Sequence, residues 1–316
     1  MAKGKVVAAA THAERKRLRS TIGALKDLRV GVGVQKRYKR AVNFFLWFCW
    51  AQFGQMADDY DQLDKFAVAF IHAAWNEGEP RSLIADCLSG IMYAVDRKRI
   101  LPSAWSWLTT WEQHEMPTKA HPLTCPMVFA LAGLCWKHEL LELCCLIPVA
   151  FCTMLRTAEI LGLRRDHVSF SLGKASLQLC GKTGSRTGAA ESAVVDDAVA
   201  VRLLRLLCDN KTGPEKLLSM TEYAFRKKWK WLVQQLLLCP KNYAPYGIRR
   251  GGACEDFAVF GDGARLCLKG RWGSIRTARG YAEEALRIRQ SASVSAAADK
   301  AIEFWSHDFG RRFQQL

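Results

Sequence analysis

Pro117 and Pro122 frame a seven-residue run, Met116 to Pro122, that no regular element can cross. Proline has no amide hydrogen to donate, and it pushes the residue before it away from helical torsions. The run also lacks any apolar period, so it reads as a linker and sets a domain boundary. With 316 residues, half of them apolar, the chain has enough on both sides of that boundary to build two cores.

The amino-terminal side reads as helical. Residues 1–33 are expected to form a flexible basic arm, densest at Glu14-Arg15-Lys16-Arg17-Leu18-Arg19. That cluster suits a DNA-tracking or nuclear-import segment, and it suits a solvated helix face equally well. Residues 34–115 carry four apolar-periodic segments, opening at Lys36, Asp61, Arg81 and Pro102. Four short helices with short links predict a compact bundle whose aromatics fill its core. Lys36, Arg37, Lys39 and Arg40 at one helix end, and Arg97, Lys98 and Arg99 at another, are candidate phosphate contacts.

The net charge of +16 points to nucleic acid as the partner ahead of an anionic membrane. The longest apolar runs, 44–50 and 143–154, are too short to span a bilayer. Residues 1–40 are basic and lack the apolar core of a secretory signal. The 12 cysteines contain no C-x-x-C pair. Free thiols in a reducing compartment are therefore expected, nucleus or cytoplasm, with the nucleus favoured in a eukaryotic host. Cys125, Cys135, His138, Cys144 and Cys145 lack the paired spacing of zinc ligands and suit buried apolar positions, so neither metal nor cofactor is expected.

Residues 121–290 mix helix and strand patterns. Residues 123–163 read as helical and end in Met154-Leu-Arg-Thr-Ala-Glu-Ile-Leu-Gly-Leu163, where Arg156 and Glu159 share a face. An ordinary exposed ion pair has the same spacing. Residues 175–195 alternate as two strands around the glycine-rich turn Gly181-Lys182-Thr183-Gly184-Ser185-Arg186-Thr187-Gly188. Gly181-Lys182-Thr183 is not a phosphate loop, because Ser176 stands where the first glycine belongs and no helix follows directly. Lys182 is equally at home as a solvated turn lysine.

Helices are expected over 196–209 and 221–238. Beyond them, Tyr246 and Arg249 lie one helical turn apart, Trp272 sits between Gly270 and Gly273, and Tyr281 follows nine residues later. A phenol near guanidinium groups suggests attack on a phosphodiester, with the cations stabilising the phosphorane. Residues 291–298 suit a linker. Residues 299–316 suit a tail helix in which Ile302, Trp305, Phe309 and Phe313 share a face.

Taken in order, these boxes resemble the tyrosine recombinase family, in the form carried by eukaryotic mobile elements. That family's first box reads G/T-x-R-x-x-E-I/L-x-x-L, matched from Met154 to Leu163. Its later boxes read H/Y/K-x-x-R, G-x-H/W and a tyrosine, matched by Tyr246 to Arg249, Gly270 to Trp272 and Tyr281. The resemblance implies a mainly α fold with a small β-sheet: a helical DNA-clamping domain over 34–115 and a catalytic domain over 121–290. It implies Tyr281 as nucleophile, Arg156 and Arg249 as phosphate ligands, and Trp272 and Tyr246 as hydrogen-bond donors to the phosphate. It further implies Lys182, or less favourably Arg186, as the acid for the leaving group, with Glu159 supporting Arg156. Metal- and ATP-independent strand exchange on double-stranded DNA would follow, in a homo-tetramer whose tail, residues 299–316, docks on the next protomer; the same apolar face suits packing on its own domain. A type IB topoisomerase shares this chemistry, and a domesticated DNA-binding protein with a decayed site shares the boxes.

Overall fold

A computed structural model of the chain describes residues 11–22, 28–115, 119–179, 191–281, 288 and 293–315. It falls into two units, Met1–Thr118 and Lys119–Leu316.

In the first unit, part of the expected flexible arm is helical, α1 (His12–Ile22). The cause is a capping box. The Thr11 amide donates to Glu14 Oε2 at 3.2 Å, and the Glu14 amide donates to Thr11 Oγ1 at 3.3 Å. The bundle is α2 (Val32–Phe53), α3 (Tyr60–Asn76), α4 (Arg81–Val95) and α5 (Pro102–His114). Phe45, Phe70, Ile84, Leu88, Leu101 and Leu108 are buried in its core. Helix α5 has no side-chain cap of its own. The buried Asp64 of α3 supplies one from a distance, accepting from the Ser103 and Ala104 amides at 2.9 Å each.

The second unit opens with α6 (Cys125–Lys137), α7 (Leu141–Cys152) and the short α8 (Thr157–Gly162). The expected helical stretch over 123–163 therefore breaks twice, where Glu139 and Met154 adopt φ of 57° and 52°. Three antiparallel strands follow in the order β1 (Val168–Ser171), β2 (Lys174–Leu179), β3 (Glu191–Val195). Val168 pairs with Leu177, and Ala175 pairs with Val195. Alternate residues Ala175, Leu177 and Leu179 face the core, as a half-buried sheet requires. Then come α9 (Ala198–Asp209), α10 (Glu222–Gln235), α11 (Gly247–Phe260), α12 (Gly263–Gly270), α13 (Ile275–Arg279) and α14 (Ala296–Gln314). Asp197, Thr221, Asp262, Ser274 and Ser295 cap five of these helices through side-chain oxygens.

Helices α6 and α7 are apolar on nearly every face and lie at the centre of this unit. Helix α11 closely approaches the segment before α6 and the end of α7. A Cβ on Gly251 would lie 2.0 Å from the Leu123 carbonyl oxygen, and one on Gly252 would lie 2.1 Å from that of Phe151. The Arg249-Arg250-Gly251-Gly252 run thus lays backbone on backbone, with its arginines carried into the interior.

Helix α14 packs on α6 of its own chain and buries Ala298, Ile302 and Phe309. Gly133 of α6 makes this possible, since a Cβ there would stand 2.3 Å from the Trp305 carbonyl oxygen. Among the described residues no helix is long and apolar enough to cross a membrane.

Candidate active site

Two loops meet over the start of α11. One runs from Thr153 to Arg156 and leads into α8; the other, Arg271 to Ser274, joins α12 to α13. Arg156 stands at the N-cap of α8. Its backbone amide donates to Glu159 Oε2 at 2.8 Å, and its Nη1 donates to Glu159 Oε1 at 2.6 Å. Glu191, at the start of β3, adds a longer contact to Nη1 at 3.4 Å. Burial disfavours the charged Arg156, but Glu159 and then Glu191 outweigh it and hold the pKa above the usual arginine value. Glu159 is itself only 4% exposed.

Arg249, in the first turn of α11, is 1% exposed. It donates to the carbonyl of Met154 on the first loop and to that of Gly270 at the end of α12. Its guanidinium lies 4.6 Å from the centre of the Trp272 ring and 5.9 Å from that of Tyr281. Its Nε is buried with no acceptor among the described residues. Burial first, then the charges of Arg156 and Arg271, lower its pKa to about 10, so it remains a cation at neutral pH.

The two tyrosines meet beside it. Tyr246 and Tyr281 share a hydrogen bond of 2.5 Å between their hydroxyls. The rings of Trp272 and Tyr281 lie 4.6 Å apart. The thiol of Cys254 donates to the Tyr281 carbonyl at 3.1 Å, which ties Tyr281, two residues past α13, to α11. Tyr246 is 38% exposed. Burial, and then the hydrogen bond shared with Tyr281, push its pKa up to about 12.

Arg156, Glu159, Tyr246, Arg249, Trp272 and Tyr281 therefore come together in one place. Lys182 and its alternate Arg186 lie outside the described residues. Lys36, Arg37, Lys39 and Arg40 are exposed on the first turns of α2, where Arg37 pairs with Asp86 at 3.1 Å. Arg97, Lys98 and Arg99 are exposed beyond α4, with Arg97 over the Tyr60 ring at 5.3 Å. Sequence reasoning passed over Arg271, the middle residue of the Gly-x-Trp box. Its Nη2 donates to Glu159 Oε2 at 3.0 Å and to the Met154 carbonyl at 3.1 Å. The available signal was a charged residue between a helix-ending glycine and a tryptophan.

No protein-family model and no curated protein matches the chain. Solved structures do. The Tn1549 transposon integrase in complex with transposon right-end DNA superposes with a TM-score of 0.61 at 13% identity, over 89% of this chain and 98% of that one. The XerH site-specific recombinase in a post-cleavage complex with palindromic difH substrate gives 0.56 at 14% identity, over 90% and 85%. Its pre-cleavage complex with difH gives 0.54 at 14%, over 82% and 79%. The fold is that of the tyrosine recombinases. In this tyrosine-recombinase fold the six converging side chains come from four separate stretches of the second unit, which the α6–α7 core holds in register.

Proposed function

We propose that the protein is a site-specific tyrosine recombinase that cuts and rejoins duplex DNA through a 3′-phosphotyrosyl intermediate. The observation that carries this is the Tyr281 hydroxyl, hydrogen-bonded to Tyr246 with its ring beside the buried Arg249. Tyr281 attacks the scissile phosphorus. Its proton passes to Tyr246, which releases its own to water in the same step; Tyr246 needs no phenolate stage, and its 38% exposure gives it access to solvent. Arg156 and Arg249 neutralise the non-bridging oxygens of the phosphorane, and the buried Nε of Arg249 is a donor awaiting an anionic oxygen. Arg249 is almost fully covered by protein, so the aromatic rings over it must shift as DNA enters.

Lys182 is assigned to protonate the departing 5′-oxygen. Support comes from Glu191, the first residue of β3, which touches Arg156 at 3.4 Å. Lys36, Arg37, Lys39, Arg40, Arg97, Lys98 and Arg99 are assigned to backbone phosphates. Exchange between two duplexes needs four sites, so the working form is a homo-tetramer on DNA. With α14 seated on α6, its outer face, where Phe304 is exposed, remains for a tail-borne link between protomers. A mobile-element origin is supported by the likeness to a transposon integrase. The paired glycines after Arg250 carry no information about the host, since backbone packing accounts for them.

A duplex nicked beside the cleavage site tests the proposal. The wild type should accumulate a covalent adduct, and Tyr281→Phe should bind the duplex and form none. An undiminished adduct in that variant removes Tyr281 as nucleophile. Relaxation of supercoiled DNA without joined products would identify a topoisomerase instead, and binding without an adduct a non-catalytic DNA-binding protein.

A further inference from the structure

The geometry points to Arg271 as a positioning residue that keeps Arg156 free for phosphate by sharing Glu159 with it, an inference that rests on the recombinase function proposed above. Arg271 follows α12 with φ 58° and ψ 45°, a left-handed conformation that disfavours any side chain. What it gains is contact. Nη1 donates to the Thr153 carbonyl at 3.0 Å and the Lys269 carbonyl at 3.2 Å, while Nη2 reaches Met154 and Glu159. The side chain is 8% exposed, so it faces protein and not DNA.

Glu159 is one buried carboxylate between two guanidinium groups. A carboxylate and an arginine left alone close into a bidentate pair, which neutralises both. Here Arg271 Nη2 and the Arg156 backbone amide share Oε2, and the Arg156 guanidinium holds only Oε1, through Nη1. Nε and Nη2 of Arg156 have no protein acceptor among the described residues. Charge points the same way. Among the described residues, Arg156, Arg249 and Arg271 against Glu159 and Glu191 leave 3 − 2 = +1 around this carboxylate. Without Arg271 the balance is zero, and Oε2, left with the Arg156 amide alone, can turn to the Arg156 guanidinium.

The test uses the full-length protein and the nicked duplex. Arg271→Gly removes the side chain at a torsion that glycine adopts freely. Adduct formation should fall roughly 100-fold with duplex affinity nearly unchanged, and methylguanidine should restore part of the rate. Adding Glu159→Gln to Arg271→Gly should raise the rate, because the amide no longer neutralises Arg156. A purely structural role predicts the opposite, a double variant slower than either single one, and that result would overturn the inference. So would an Arg271→Gly protein that cleaves like wild type. If that variant does not fold, Arg271→Lys replaces it. It keeps the charge but cannot span Glu159 and two carbonyls, and it should lose rate in part and regain none with Glu159→Gln. A wild type that forms no adduct fails the recombinase proposal itself, an outcome distinct from these.

Discussion

At the scale of single residues, Tyr246 decides how the nucleophile loses its proton. Its pKa near 12 keeps it a neutral phenol from about pH 6 to 10, so it works as a relay and not as a base. Tyr246→Phe should slow adduct formation roughly 100-fold and shrink its solvent deuterium isotope effect, with duplex binding retained. The Tyr246-dependent part of the rate should be flat across that pH window, because a raised phenol pKa moves titration upward and out of it. Tyr246→His, which can accept the proton directly, should recover activity and bring in a dependence near the histidine pKa. A Tyr246→Phe enzyme with unchanged rate would remove the relay. Arg156, Tyr246, Arg249, Trp272 and Tyr281 were legible beforehand because each sits in a box of fixed spacing. Arg271 was not, because its role depends on carbonyls 117 and 118 positions away in the chain.

At the scale of elements, helices were legible wherever local chemistry ends them. Helix α4 begins after Pro80 and stops at Asp96, whose φ of 55° closes it. The break before α8 carries no such mark. Met154 takes its left-handed torsion where Arg249 and Arg271 both bind its carbonyl, a tertiary cause that no residue type announces. Strand β1, four residues long, is too short for its alternation to stand out. The cap on α5 is also invisible locally, since Asp64 lies 39 and 40 positions before the amides it serves. Asp64→Ala should cost the first unit about 2–3 kcal/mol in chemical denaturation, because two buried amides lose a charged acceptor. A cost below about 0.5 kcal/mol would mean that water replaces it.

At the scale of the whole molecule, the net charge of +16 makes DNA affinity a function of salt. Replacing Lys36 and Lys98 together by alanine should weaken binding to all sequences alike and reduce the slope of log affinity against log salt by about 2. An unchanged slope would take both lysines off the phosphates. The division at Thr118 has a consequence of another kind. Phe45, Phe70 and Leu88 belong to one apolar cluster, and Leu131, Ile147 and Trp229 to another, with no residue in common. A core lesion in the first cluster can melt its own unit and leave the other folded around Tyr281. Genetically, such lesions should behave as separation-of-function alleles: protein that has lost its grip on the target site yet still reacts with a nicked strand presented at high concentration.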